Sequence, residues 1–241
     1  MLMYLSMTAR QYALYVAAAV IPAIFLMRYI WKNDTVEKEP GSLLWACVLR
    51  GCLATALAFV LELLVDNLIL PNTGIQTDMT YSIINATCVG LIEEFSKYFF
   101  LKRRTWQDPN FNYRYDGIVY AVFVSLGFAA LENILYVFSY GLSVALSRAL
   151  LAVPAHMGFA VFMGAFYGRA KMCDVRGDPA GRKINLLAGY LVAVSLHAFY
   201  DATAMINTEK STIYFIIFVV LMYILVYNVV KRESRTDHRI D

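Results

Sequence analysis

Charge is what this chain has least of: Asp, Glu, Lys and Arg make up 16% of its 241 residues, while 60% are hydrophobic and the mean hydropathy is +0.56. Soluble domains carry roughly 25% charged residues, so composition excludes an ordinary soluble domain and a disordered chain. Cysteine is scarce and scattered. Cys47, Cys52 and Cys88 fall in apolar runs and Cys173 in a basic stretch, without a CxxC pair. That pattern excludes a disulfide framework or cysteine metal site and predicts free thiols. The net charge is only +3, with no basic face interleaved with aromatics, which argues against nucleic acid as a partner. No HExxH is present, excluding a zincin, and residues 211–230 contain no lysine for a retinal Schiff base. No internal repeat or long linker divides the chain, so residues 1–241 are read as one domain.

What is present is a series of apolar runs about as long as the roughly 20 residues that cross a hydrocarbon core. They predict an all-α, polytopic transmembrane bundle of about seven helices, at 11–31, 43–70, 79–101, 117–139, 142–168, 184–206 and 211–230. The first run lacks a basic start and is followed by positive charge, so it is read as a span and not a secretory leader. Breakers separate the runs at Pro40-Gly41, Pro71-Asn72-Thr73-Gly74 and Gly177-Asp178-Pro179. Lys32 and Lys38, then Lys102, Arg103, Arg104 and Arg114, then Arg169, Lys171, Arg176, Arg182 and Lys183, and finally Lys231, Arg232, Arg235 and Arg239 fall at one end of an alternating bundle. Only Arg10 and Lys210 fall at the other. Lys and Arg concentrate in cytoplasmic loops, so the expected orientation has the N-terminus outside and the C-terminus in the cytoplasm.

A charged group near the bilayer centre costs about 2.5–3.5 kcal/mol on insertion scales, so each one needs a protein partner or a wet cavity. Arg50, Glu62, Glu93, Glu94, Lys97, Glu132, Arg148, His156, His197 and Asp201 all fall within the expected spans. Lys97 follows Glu93 by four residues and Glu94 by three, within reach of either on one helix. By itself this is equally an ion pair that lets a charged helix insert. Phe128, Glu132 and Tyr136 form a stripe beside Asn133. Arg148, Ala152, His156, Ala160 and Gly164 form another, with small residues that allow close helix approach and Pro154 as a kink point. His197 and Asp201 are spaced so that the carboxylate can fix the imidazole's tautomer. A lone buried Glu or His is more often structural, but four consecutive helices carry such groups, and two of only three histidines in the chain lie within the spans.

The ordered set Glu93-Glu94-x-x-Lys97, Phe128-x-x-x-Glu132-Asn133, Arg148 with His156 and Gly164 at eight-residue steps, and His197-x-x-x-Asp201 resembles the PrsW family of bacterial intramembrane proteases. These are distant relatives of the type II CAAX prenyl proteases, and the resemblance covers about residues 80–205. It implies a multi-pass protein of the bacterial plasma membrane that hydrolyses a peptide bond in a membrane-anchored, single-span substrate. The family's best-known role is the first cut in an anti-sigma factor during envelope stress. Carried over, Glu93, Glu94, Glu132, His156 and His197 become the catalytic set, with Lys97, Asn133, Arg148 and Asp201 in support. The prenyl protease relatives have histidine where this chain has Glu132, which leaves two mechanisms open. A carboxylate, Glu93 or Glu94 with Glu132, activates water directly, or zinc is held by Glu132, His156 and His197 with a carboxylate as general base. In either case His156 or His197 is available to stabilise the oxyanion or to join a metal. The competing expectation is a non-catalytic membrane scaffold or an ion- or proton-coupled transporter, because the same residue types build proton relays.

Overall fold

The computed structural model describes residues 8–69 and 79–240, and these form an all-helical bundle. Its helices are α1 (Ala9–Asn33), α2 (Gly41–Leu64, continued by a wide π turn Val65–Ile69), α3 (Met79–Thr105), α4 (Asp116–Tyr140), α5 (Leu142–Val175), α6 (Pro179–Ile206) and α7 (Glu209–Arg235). Six are long and apolar enough to cross a membrane. The seventh, α3, is 27 residues long and falls short in apolarity because it carries the Glu93, Glu94 and Lys97 group and three basic residues in its last turn. Each expected helix is present, and most run a few residues further than their apolar runs, because polar flanks complete the end turns. The proposed breaker at Pro71 to Gly74 lies outside the described residues.

Local chemistry fixes the ends. Thr8 and Thr208 cap α1 and α7 through reciprocal bonds with Gln11 and Ser211, and Asp178 accepts from the Gly181 amide ahead of Pro179 at the start of α6. Gly141, at φ +83°, stops α4 in a conformation that a Cβ disfavours.

The core is built around α4, whose residues 116–129 are all buried. It packs against α1, α2 and α5, while α6 joins α5 and α3, and α7 lies outside α5 and α6. Close approach depends on small residues. A Cβ on Gly127 would lie 2.3 Å from the Val48 carbonyl oxygen, and one on Gly51 only 2.0 Å from that of Val124. Beside them Thr55 Oγ1 donates to the Phe128 carbonyl at 3.2 Å. Gly164 meets Gly117 in the same way across α5 and α4, with a hypothetical Cβ 2.6 Å from the Gly117 oxygen. Its place on the Arg148 to His156 stripe therefore serves helix packing.

At the basic end, the C-terminal segment is tied down. Residues 236–240 lie along the α3–α4 connection, with an isolated antiparallel bridge between Tyr113 and Arg239. The Ile240 amide donates to Asn112 O at 2.7 Å, the Arg114 amide to His238 O at 3.2 Å, and the Tyr115 amide to Asp237 Oδ1 at 2.9 Å. Arg114 and Arg169 both bind Glu233, at 2.9 and 3.1 Å. Beneath this strap sit Asp34 and Glu39, 1% and 5% exposed, with neither oxygen of Asp34 hydrogen-bonded. Burial pushes Asp34 up to about 6, against the pull of Lys38 and with help from Asp237, and pushes Glu39 up to about 7.

Two predictions follow from this packing. Gly127→Ala forces two backbones apart, an overpacking cost of about 1–3 kcal/mol, and should lower the thermal midpoint in detergent by several degrees. Gly41→Ala, where nothing lies within 4 Å, should leave the midpoint nearly unchanged. The strap should also loosen with rising pH. Asp34 and Glu39 hold protons in the folded state that they release at their ordinary values of 3.8 and 4.5 once unfolded. Their stabilising contribution is therefore complete below about 4 and lost as pH climbs through about 7. Amide exchange in residues 112–116 and 236–240, corrected for intrinsic rates, should show opening increased on the order of tenfold between pH 5 and 8. Asp34→Asn should flatten that slope.

Candidate active site

Lys97 Nζ is the centre of the polar cluster. It donates to Glu93 Oε2 at 3.0 Å and Glu94 Oε1 at 2.8 Å on its own helix, and lies 3.0 Å from His156 Nδ1 on α5. It is 2% exposed and sits 4.1 Å from the centroid of the Phe128 ring. All three residues of the α3 motif face inward, because α3 turns Leu91, Phe95 and Phe99 outward instead.

Two further groups extend from this centre. On one side, His197 of α6 places Nδ1 2.9 Å from Glu94 Oε1, with Nε2 3.3 Å from Asp201 Oδ2 and 3.8 Å from Glu93 Oε2. Gly90 makes that reach possible: a Cβ there would lie 3.2 Å from the Ala198 nitrogen, so α3 and α6 run close at this level. On the other side, Glu132 Oε2 of α4 receives His156 Nε2 at 3.1 Å and the Arg148 guanidinium at 2.7 Å. Arg148 also donates to Asn133 Oδ1 at 2.8 Å and stacks 3.8 Å over Tyr136, while Asn133 in turn donates to the Ala19 carbonyl. The His156 and His197 rings meet edge to face at 5.3 Å, and Phe159 stacks on His197 at 4.8 Å.

The backbone of α5 is shaped to allow this. Pro154 has no N–H for the Leu150 carbonyl, and residues Arg148–Ala152 open into a π turn. Tyr223 of α7 donates to the carbonyl so released, at 2.5 Å. The wide turn changes the phase of Arg148 relative to His156, and both reach the same oxygen of Glu132. Ser125 of α4 fixes the next turn by donating to the His156 carbonyl at 2.9 Å.

A cavity of about 310 Å³ opens on this network. Glu93, Glu132, Arg148, His156, His197 and Asp201 line it, while Glu94 and Lys97 stand behind that layer. Tyr136, Tyr200 and Phe215 form its walls toward the end of the bundle bearing the α4–α5 and α6–α7 turns, opposite the Lys- and Arg-rich end. Tyr200 and Phe159, one turn along from His197 and His156, escape sequence reasoning because aromatic residues are common throughout the chain. Glu62 of α2, a charge within the expected spans, stands outside the hydrogen-bonded cluster. One of its oxygens is buried without a hydrogen bond, within electrostatic range of Glu93 and Glu132.

For a metal, the residues that converge are Glu93, Glu94, His156 and His197, each offering a ligand atom within 4.8 Å of the others. The set expected from sequence placed Glu132 with the two histidines, but the structure gives Glu132 to Arg148 and brings the α3 carboxylates to the imidazoles. Two observations test the fit. The donors are imidazole nitrogen and carboxylate oxygen, which suit zinc, and three of them, on Glu93, Glu94 and His156, already meet a cation, the Lys97 ammonium. In charge, Glu93, Glu94, Glu132 and Asp201 face Lys97 and Arg148 alone as permanent cations among the described residues. The excess of two negative charges is what a divalent ion, or two protonated histidines, would neutralise. The residues fit.

Residues 39–227 match the model of the family described as PrsW family intramembrane metalloprotease. The chain is 35% identical over 186 residues to a protein named Protease PrsW from Geobacillus kaustophilus, covering 77% of each chain. It is 31% identical to the protein of that name from Halalkalibacterium halodurans, covering 91% of this chain and 97% of the relative. The Bacillus subtilis Protease PrsW is 34% identical, over 84% of this chain and 89% of its own. No solved structure matches the chain.

The buried network predicts a specific stability pattern. Lys97→Met strands two carboxylates and should cost about 3–5 kcal/mol, read as a large fall in thermal midpoint or loss of the folded peak in detergent. Glu94→Gln in the same chain removes one stranded charge and should recover part of that loss. Equal melting of the single and double variants would contradict the pairing.

Proposed function

As the chain belongs to the PrsW family of intramembrane metalloproteases, and is thus a multi-pass bacterial membrane peptidase, we propose that its cavity cuts a single-span membrane protein near the boundary opposite the basic end of the bundle. The observation that carries this reading is the convergence of Glu93, Glu132, His156 and His197 on one cavity, backed by Lys97 and Glu94. Under the orientation expected from the Lys and Arg distribution, that boundary is the outer one. An anti-sigma factor of the single-span kind is the substrate class the family resemblance favours.

Peptide hydrolysis needs an activated water, a stabiliser for the oxyanion and a proton for the leaving amine. Glu93 faces the cavity and is the carboxylate suited to take the proton from water. Glu94 holds Lys97 and the Nδ1 side of His197, so its role is to orient. Glu132, fixed by Arg148 and His156, positions the substrate side of the cavity, and Arg148 is the cation best placed to steady negative charge on the carbonyl oxygen. His197, held between Glu94 and Asp201, can hand a proton to the leaving nitrogen.

Those roles belong to the metal-free arrangement. Zinc is the metal that the donor set suits; were it held by Glu93, Glu94, His156 and His197, Glu93 and His197 would act as ligands instead and Glu132 would be the carboxylate left to accept a proton. When bound, zinc supplies Lewis acidity, polarising the scissile carbonyl and lowering the pKa of the attacking water.

Reconstitution with a single-span substrate in liposomes tests the reading. Glu93→Gln, Glu132→Gln and His197→Ala should each lower cleavage by roughly 10²-fold or more, the range for acid–base groups. Purified protein should contain about one zinc per chain, and His156→Ala and His197→Ala should both lower that content irrespective of turnover. Cleavage that survives in all three site variants would remove the proposed site. Full activity in metal-free protein would remove zinc alone.

A further inference from the structure

The basic end of α3 carries a second, separate pocket. It has a volume of about 520 Å³ and is lined by the outward face of the helix and the two residues beyond it. Phe95, Phe99 and Arg103 follow one another at four-residue steps, so they form a single stripe running from the apolar part of the helix to its charged end. Phe95 is 47% exposed and Phe99 40% exposed. Tyr98 and Lys102 form the parallel stripe, and Trp106 closes the end.

The charges in this pocket are largely uncompensated. Arg104 is paired with Asp108 at 2.6 Å. Arg103 has no hydrogen bond or ion pair among the described residues. Among the described residues Lys102 meets aromatic rings alone, its Nζ 5.9 Å from the Tyr98 centroid and 5.7 Å from that of Trp106. Lys171 of α5 fixes the floor, donating to the Trp106 carbonyl at 2.7 Å and lying 5.4 Å from its ring. Basic residues in the last turn of a helix are generally favoured by its dipole and by topology. Those effects do not require a cavity with an aromatic floor, nor two exposed rings leading up to the unpaired cation.

We propose that this pocket binds a glycerophospholipid with an anionic head group, the phosphate between Lys102 and Arg103 and an acyl chain along Phe99 and Phe95. Phosphate is the group that two uncompensated cations recognise. The contiguous phenyl stripe is what distinguishes a membrane lipid from a free phosphate ion, which has nothing to place there. The proposal does not depend on the proteolytic reading.

Trp106 is a built-in reporter. Trp31 and Trp45 are 39% and 62% exposed, so Trp31→Phe and Trp45→Phe leave Trp106 as the sole indole of the full chain. In vesicles of mixed phosphatidylglycerol and phosphatidylcholine, one lipid at a time carries brominated acyl chains that quench nearby tryptophan. Brominated phosphatidylglycerol should quench Trp106 with a relative association constant about threefold or more above that of phosphatidylcholine at equal mole fraction. Lys102→Gln with Arg103→Gln should bring the ratio to about one. Arg103→Gln alone keeps Lys102, Arg104 and Arg114 for topology and should still lower it. Phe95→Ala with Phe99→Ala keeps every charge and should also weaken phosphatidylglycerol quenching, whereas a diffuse ion cloud would be indifferent. Equal quenching by the two lipids in the parent protein overturns the proposal, as does a preference that survives the double charge variant. So does inorganic phosphate that reproduces the Trp106 emission change in pure phosphatidylcholine, because the site would then take the free anion.

Discussion

The buried ammonium of Lys97 is the interaction on which the rest of the polar interior depends. In a medium that cannot solvate charge, Lys97 is tolerable only because Glu93, Glu94 and His156 surround it, and they are tolerable only because it is there. Removing one partner from such a network leaves an uncompensated charge, which is why breaking a buried pair costs far more than the pair contributes. The same requirement recruits the neighbours. Glu94 also accepts from His197, and His156 also meets Glu132, which needs Arg148 as its own counter-ion. Electrostatic compensation thus sets the relative depth of α3, α4, α5 and α6, and the small-residue contacts at Gly51, Gly90, Gly127 and Gly164 let the backbones come close enough to meet it.

This division of labour explains what the sequence could and could not reveal. Helix identity was readable because apolar run length is a local property. Intrahelical partners were readable too: Lys97 does reach Glu93 and Glu94, and His197 does meet Asp201, as their spacings imply. Partners across helices depend on rotation and depth, which no spacing within one helix specifies. Hence the pairing of Glu94 with His197, and of Glu132 with Arg148, is visible only once the helices are packed. The π turn at Arg148–Ala152 compounds this, since it alters the phase that regular four-residue counting assumes. The docked C-terminal segment was illegible for a different reason. Its contacts to the α3–α4 connection mix backbone hydrogen bonds, which leave no sequence signature, with bonds of the Asp237 and Arg114 side chains to partners more than a hundred residues away in the chain.

The two layers of the network also differ in what they can do. Lys97 and Glu94 are walled off from the cavity, while Glu93, Glu132, His156 and His197 border it. A group whose hydrogen-bonding capacity is consumed by protein partners orients its neighbours, whereas one that retains a face toward water can exchange a proton. On this criterion the adjacent glutamates of α3, indistinguishable by type, separate into an inner and an outer role simply because consecutive residues on a helix point about 100° apart.

That separation has a consequence for access. The cavity is walled by Tyr136, Tyr200 and Phe215 toward one end of the bundle, and the strap of residues 236–240 lies along the α3–α4 connection at the other. The cavity thus lies toward the end with few basic residues, while the charged connections are bonded to one another at the far end. A bundle arranged in this way confines its wet volume to one side of the Lys97 cluster, and the buried ion network is itself the floor that keeps the cavity from becoming a channel.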